Sequence, residues 1–255
     1  MPMDTDKEFF DPRYREFKEL TDRIAADVGL PLFYSEEKEA VEVSRRLFSS
    51  HPAAEELLAY LGNNQEYPGH GLSHVKKVAL DAGALILIDG ADAVGVDRVD
   101  RLVFLSHLAG LLHDIRRSEP NHARRSAEEA GRILKTFHIE TLERDFIMQA
   151  IANHEAFQPI QPLDDPSAQM LSNALYDADK FRWGPDNFTE TLWAIIMSRR
   201  LKIEDLAKNF PGGLAATERI RGTFRTRTGK KYGPDFIDRA LEIGNRLFAF
   251  LSSHA

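Results

Sequence analysis

The chain has 255 residues, with 33 Lys plus Arg against 40 Asp plus Glu, a net charge of −7, 43% hydrophobic residues and no cysteine. That length and composition suit one sizeable buried core, and the acidic balance disfavours nucleic acid as the main partner. The lack of cysteine removes disulfides, thiolate metal sites and cysteine nucleophiles, so any metal must be held by nitrogen and oxygen.

The first 33 residues are polar, acidic at the start and without an apolar signal core, and they read as a leader over residues 1–34. The longest apolar run, ALILI at 84–88, is too short to span a bilayer, so the expectation is a cytoplasmic protein with no membrane partner. Ser35 followed by Glu36, Glu37 and Glu39 has the form of a helix N-cap with an acidic first turn. It predicts one helix running to Leu61 and ended by Gly62-Asn63-Asn64. YPGHGL, from Tyr67 to Leu72, reads as a loop, after which Ser73 is placed to cap a helix that opens at His74.

A third helix is expected over 98–115, with Leu105, Leu108, Ala109, Leu112 and Ile115 on one stripe and His113-Asp114 at its C-terminal end. Helices are then predicted over 122–136, 141–154 and about 168–181, with Pro159, Pro162 and Pro166 interrupting before the last. Residues 187–255 carry two or three more helices around a Gly- and Arg-rich loop at 211–234. Apolar residues recur at three and four throughout, and no series of alternating β runs occurs. The fold expectation is therefore all-α, with residues 35–185 as the core and 186–255 as a helical extension of the same domain.

Among nine histidines, His74, His107, His113, His122 and His154 stand out, together with His113-Asp114 and Asp177-Ala-Asp179-Lys180. An ion that polarises water and binds phosphate needs a few nitrogen and carboxylate ligands from separate helices, with positions left open. His107 lies inside an apolar stripe and reads as a hydrogen-bonded core residue. Asp177 and Asp179 flank the Leu171, Ala174, Leu175, Ala178 face about equally, so periodicity does not choose between them. Arg116 and Arg117, and Lys180 and Arg182, put positive charge at both acidic helix ends, where they suit either a phosphate or the helix dipole. The basic run RGTFRTRTGKKYG reads as a phosphate cap or as a solvated loop.

In HVKKVAL, HLAGLLHDI and YDADKF the chain resembles the HD superfamily of metal-dependent phosphohydrolases, whose motif runs H, HD, D. The resemblance covers about residues 70–182 and implies an HD-type helical bundle with His74, His113, Asp114 and Asp179 as metal ligands, His70 lying close by. It also brings in His122 and His154, which match the extra histidines of dinuclear members. The implied cofactor is one or two divalent transition ions, Mn, Fe, Co, Ni or Zn. The implied reaction is hydrolysis of a nucleotide-like or other small phosphorylated substrate by a metal-bound hydroxide. Asp114 would orient or deprotonate the water, while Arg117 and Lys180 would neutralise phosphoryl charge. Two alternatives remain at this level: a diiron oxygenase of the same superfamily, and a sensor that binds metal and nucleotide without turnover.

Overall fold

The structure is a computed structural model that describes residues 12–62 and 71–254. It is all-α, with no strand among the described residues. The helices are α1 (Pro12–Val28), α2 (Leu32–Glu36), α3 (Lys38–Ser50), α4 (Pro52–Gly62), α5 (Leu72–Val94), α6 (Val96–Leu112), α7 (His122–Ile133), α8 (Thr141–Ala152), α9 (Pro166–Phe181), α10 (Leu192–Arg199), α11 (Ile203–Ile220) and α12 (Arg227–His254). A 3-10 turn, Leu134–Thr136, continues α7, and a π-helical turn, Asn187–Thr191, precedes α10. No described helix is long and apolar enough to cross a membrane.

Several boundaries correct the sequence reading. From Pro12 on, the expected leader is a helix, and its residues Tyr14, Phe17, Thr21 and Ile24, spaced three and four apart, are buried. Ser35 caps nothing; it lies inside α2 and its hydroxyl donates to the Leu32 carbonyl at 2.9 Å. The single helix expected to Leu61 is broken at Pro52, which forces the preceding His51 into extended backbone (φ −100°, ψ 113°) and ends α3. Ser73 is likewise within α5, which is preceded by Gly71, so His74 still falls on the first turn. Pro166 is the first residue of α9 rather than part of the break before it, with Asp165 as N-cap accepting from the Ser167 and Ala168 amides. The Gly- and Arg-rich loop expected over 211–234 is helical to Ile220 and again from Arg227. The expectations placed on Asn63, Asn64, Tyr67 and His70 lie outside the described residues.

The centre of the main core is the pair α5 and α6, packed together and against α9. Their approach is close because Gly110 has no side chain: a Cβ there would lie 2.4 Å from the Ala79 Cα. His107 is a core histidine, as expected, with Nε2 3.0 Å from Ser44 Oγ. Burial, with His51 acting in the same direction, pushes its pKa down to about 3, so it is neutral. A second apolar cluster joins α1, α10, α11 and the C-terminal half of α12. α12 belongs to both clusters: Tyr232, Phe236 and Ile237 enter the first, and Ala240, Ile243, Leu247 and Leu251 the second.

Two buried aspartates pin the start of α12. Asp177 accepts from the Arg225 and Thr226 amides at 2.8 and 2.7 Å and from the Thr226 hydroxyl at 2.7 Å. Gly229 is required beside it, since a Cβ there would sit 2.0 Å from Asp177 Oδ2. Asp89 accepts in the same manner from the amide and hydroxyl of Thr228, both at 2.8 Å. The basic run is therefore tied down by acidic partners, with Arg227 on Asp89 and Lys231 on Glu36.

Candidate metal centre

Five elements deliver one side chain each, or a pair, to a single buried point. His74 comes from the first turn of α5, and His113 and Asp114 come from the turn that ends α6. His122 is the first residue of α7, His154 follows the end of α8, and Asp179 lies in the last turns of α9. All six are at most 9% exposed, which is costly for such groups unless they are partnered. The chain can bring His122 back over Asp114 because Asn121 adopts the left-handed conformation (φ 55°, ψ 41°) that turns the segment into α7.

One set of donors surrounds Asp114 Oδ2. His74 Nε2 and His113 Nε2 are 3.2 Å apart, and Asp179 Oδ1 lies 3.5 and 3.7 Å from them. Asp114 Oδ2 completes the set at 3.8 Å from His74 and 3.5 Å from His113. Ligands of one ion held at 2.0–2.1 Å sit roughly 3.0–3.4 Å apart, so the spacings among His74, His113 and Asp179 need contract only slightly around a cation, while Asp114 groups with His113 and His154. The other carboxylate oxygen faces a second set. His154 Nε2 is 3.4 Å and His122 Nε2 3.7 Å from Asp114 Oδ1.

The imidazoles are oriented for this. The Nδ1–H of His113 donates to the Gly110 carbonyl at 2.8 Å, and that of His154 donates to the Ile151 carbonyl at 2.6 Å. Each bond fixes the tautomer that leaves the Nε2 lone pair pointing into the cluster. Asp179 is ionised: burial alone would raise its pKa, but Lys180, His113 and His74 hold it well below the usual carboxylate range. For His113, burial is outweighed by Asp114 and Asp179, and its pKa is raised. His122 is pushed down to about 4 by burial, then by Arg117 and His154, which keeps it neutral. Buried imidazole and carboxylate donors from separate elements, with no thiolate, fit a divalent metal ion. The groups His74, His113, Asp179 and His113, Asp114, His154 can hold one.

Periodicity left Asp177 and Asp179 equal and the resemblance favoured Asp179; in the structure Asp179 faces the histidines, whereas Asp177 faces Arg225 and Thr226 just before α12. Lys180 donates from Nζ to Asp179 Oδ2 at 2.5 Å and lies 5.0 Å over the Tyr176 ring. Arg117 Nη1 donates to His122 Nε2 at 2.6 Å, and its Nε is 3.8 Å from Asp114 Oδ2. Arg116 turns away to Glu119 and Glu129. Arg182 is buried and bound to Tyr34, Asp81 and Asp186. The basic run over 221–233 contributes nothing to the lining of the cavity above the cluster; its Arg225 instead supports the site from behind, donating to the Asn153 carbonyl at 3.0 Å.

That cavity has a volume of about 400 Å³ and reaches the surface beside the loop after α8 and the π-helical turn. Compared with known proteins, the chain matches no family model, no curated protein and no solved structure. The site therefore rests on its own geometry. Sequence reasoning did not single out Asn153, whose side-chain amide exchanges two hydrogen bonds of 3.0 Å with the backbone of Gln161 and closes the loop carrying His154. It also passed over the cavity walls formed by Phe157, Trp183, Asn187, Thr191 and Ile195. The only sequence signal for Asn153 is its place directly before His154.

Proposed function

We propose that this chain is a metal-dependent phosphohydrolase of the HD type, acting on a small phosphorylated, nucleotide-like substrate. The observation that carries the reading is the pair of buried ligand groups that share His113, one with His74 and Asp179 and one with Asp114 and His154, at the floor of a cavity that Arg117 and Lys180 also line. A cavity of that size with a polar floor suits a metabolite. The ordered H, HD, D resemblance supports the same reading.

A divalent ion held by His74, His113, Asp114 and Asp179 would supply Lewis acidity and an activated water at neutral pH. Asp114 would orient that water and accept its proton, which would pass to the leaving oxygen as the ester P–O bond breaks. Arg117, the cation nearest Asp114, faces the charge that develops on the phosphoryl oxygens. Lys180 holds Asp179 Oδ2 and so presents Oδ1 to the histidines. A second ion would be held by Asp114 with His122 and His154, because the two oxygens of Asp114 face different histidine pairs. Binding a second ion requires Arg117 to leave His122 Nε2.

The test is protein stripped of metal and reloaded separately with Mn, Fe, Co, Ni or Zn, then assayed for phosphate release on a panel of phosphorylated metabolites. At least one metal should give turnover, and Asp114→Asn should abolish it with the helical circular dichroism unchanged. Activity of Asp114→Asn within a few-fold of the parent would exclude this mechanism. Oxygen consumption by an iron-loaded, coloured protein that releases no phosphate would replace it with the oxygenase reading, and tight nucleotide binding without turnover with the sensor reading.

A further inference from the structure

The cavity changes character with depth. Its floor residues His74, Asp114 and Asp179 are 2–7% exposed, whereas Phe157, which also lines it, is 55% exposed and must stand at the mouth. Half-buried Trp183 and Ile195 add apolar wall to the same cavity. A phosphate fills only a minor part of about 400 Å³, so the remaining space belongs to the group the phosphate is attached to.

Phe157 is held in this place at a cost. It has φ 64°, in the left-handed region that a bulky side chain rarely adopts. The surrounding structure imposes that conformation. Asn153 clasps Gln161 across the loop, and the Arg219 guanidinium of α11 lies 4.3 Å from the Phe157 ring. Strain maintained on an exposed aromatic at a cavity mouth has no use in packing the core, and such strain concentrates where a ligand is held. The π-helical turn Asn187–Thr191 also lines the cavity through Asn187 and Thr191, another irregularity frequent at functional sites.

We infer that Phe157 is a specificity-determining residue, and that with Trp183 it selects phosphate esters whose ester group carries a flat ring over those with a small aliphatic group. This rests on the proposed reading of the floor as a phosphate site. The ring stacks at the mouth while the phosphate reaches the floor, so selection acts on binding.

Equilibrium binding to metal-loaded protein tests this with two phosphonates, whose C–P bond resists hydrolysis. Phenylphosphonate should bind at least about tenfold more tightly than methylphosphonate. Phe157→Ala should cut that ratio by roughly two- to tenfold, the worth of one aromatic contact, and Phe157→Tyr should restore it. Phe157→Gly should lower the ratio without lowering Tm, because glycine relieves the strained φ. Equal binding of the two phosphonates by the parent, or a ratio unchanged in Phe157→Ala, overturns the inference while the phosphate reading stands. A Phe157→Gly variant that loses Tm and keeps the ratio assigns Phe157 to structure and overturns it as well. Binding of neither compound, with metal content verified, removes the phosphate reading and this inference together.

Discussion

Two aspartates two residues apart on α9 do unrelated work, and their neighbours decide which does what. Asp179 meets two imidazoles and a lysine; Asp177 meets two backbone amides and a hydroxyl. Burial raises the Asp177 pKa to about 6 against the pull of those Thr226 and Arg225 bonds, so it is an anchor whose loss strands buried donors. Asp177→Ala should therefore cost about 2–5 kcal/mol of stability, from up to three donors left at about 1–3 kcal/mol each with partial relaxation, and leave metal content unchanged. Asp179→Asn should do the reverse, losing metal with a smaller stability change. Denaturant unfolding and elemental analysis on both variants check this, and metal loss in Asp177→Ala alone would transfer the ligand role. Both residues sit on the buried side of one helix, so the wheel could not distinguish them; the distinction lies in α12, which reaches Asp177 from about fifty residues further along the chain.

At the scale of elements, the close pair α5 and α6 sets the position of the centre, because His74 opens one helix and His113 follows the other. Gly110→Ala should push the helices apart, since the added methyl would meet Ala79 backbone rather than a movable side chain. The cost is about 1–3 kcal/mol of overpacking. The Gly110 carbonyl also orients His113, so metal affinity should fall with stability. A variant equal to the parent in both unfolding and metal titration would show that the helices do not approach so closely. The starts of the helices that carry the site were legible to within a few residues, those of α5, α6, α8 and α9 beside apolar stripes and that of α7 beside a narrow face of Ala123, Ala127 and Ala130. α1 was not, because its narrow stripe of Tyr14, Phe17, Thr21 and Ile24 lies among charged residues and gains meaning only against Trp193 and α12. In α11 and α12, the Gly and Arg content of 211–234 argued for a loop, and burial of Phe210 and Ile220 on one side and Phe236 and Ile237 on the other overrides that local preference.

For the whole molecule, the centre joins α5, α7, α9 and the ends of α6 and α8, yet it lies beside a core that is apolar and complete without it. A metal bound only by the folded state adds about 2.7 kcal/mol when present at a hundred times its dissociation constant. For a chain of this size that corresponds to a Tm shift on the order of 5–10 °C. Chelation should lower Tm by that amount while the helical circular dichroism below the transition stays the same. The shift should be absent in His113→Ala. An identical Tm with and without chelator would mean that no ion is bound there.

The sequence alone determined the all-helical class, the nitrogen and oxygen character of any metal site, and the candidates His74, His113, Asp114, Asp179, His122 and His154. The first two follow from 3.6-residue periodicity and composition, and the candidates from the resemblance to the HD superfamily, none of which needs knowledge of where distant segments meet. Tertiary structure decided the rest. It selected Asp179 over Asp177, turned Arg116 and Arg182 towards carboxylate partners, and split the two oxygens of Asp114 between two histidine pairs. It also put Phe157 at the mouth of the cavity. Each of these depends on contacts between residues far apart in the chain or on a backbone turn such as that at Asn121, and a one-dimensional pattern records neither.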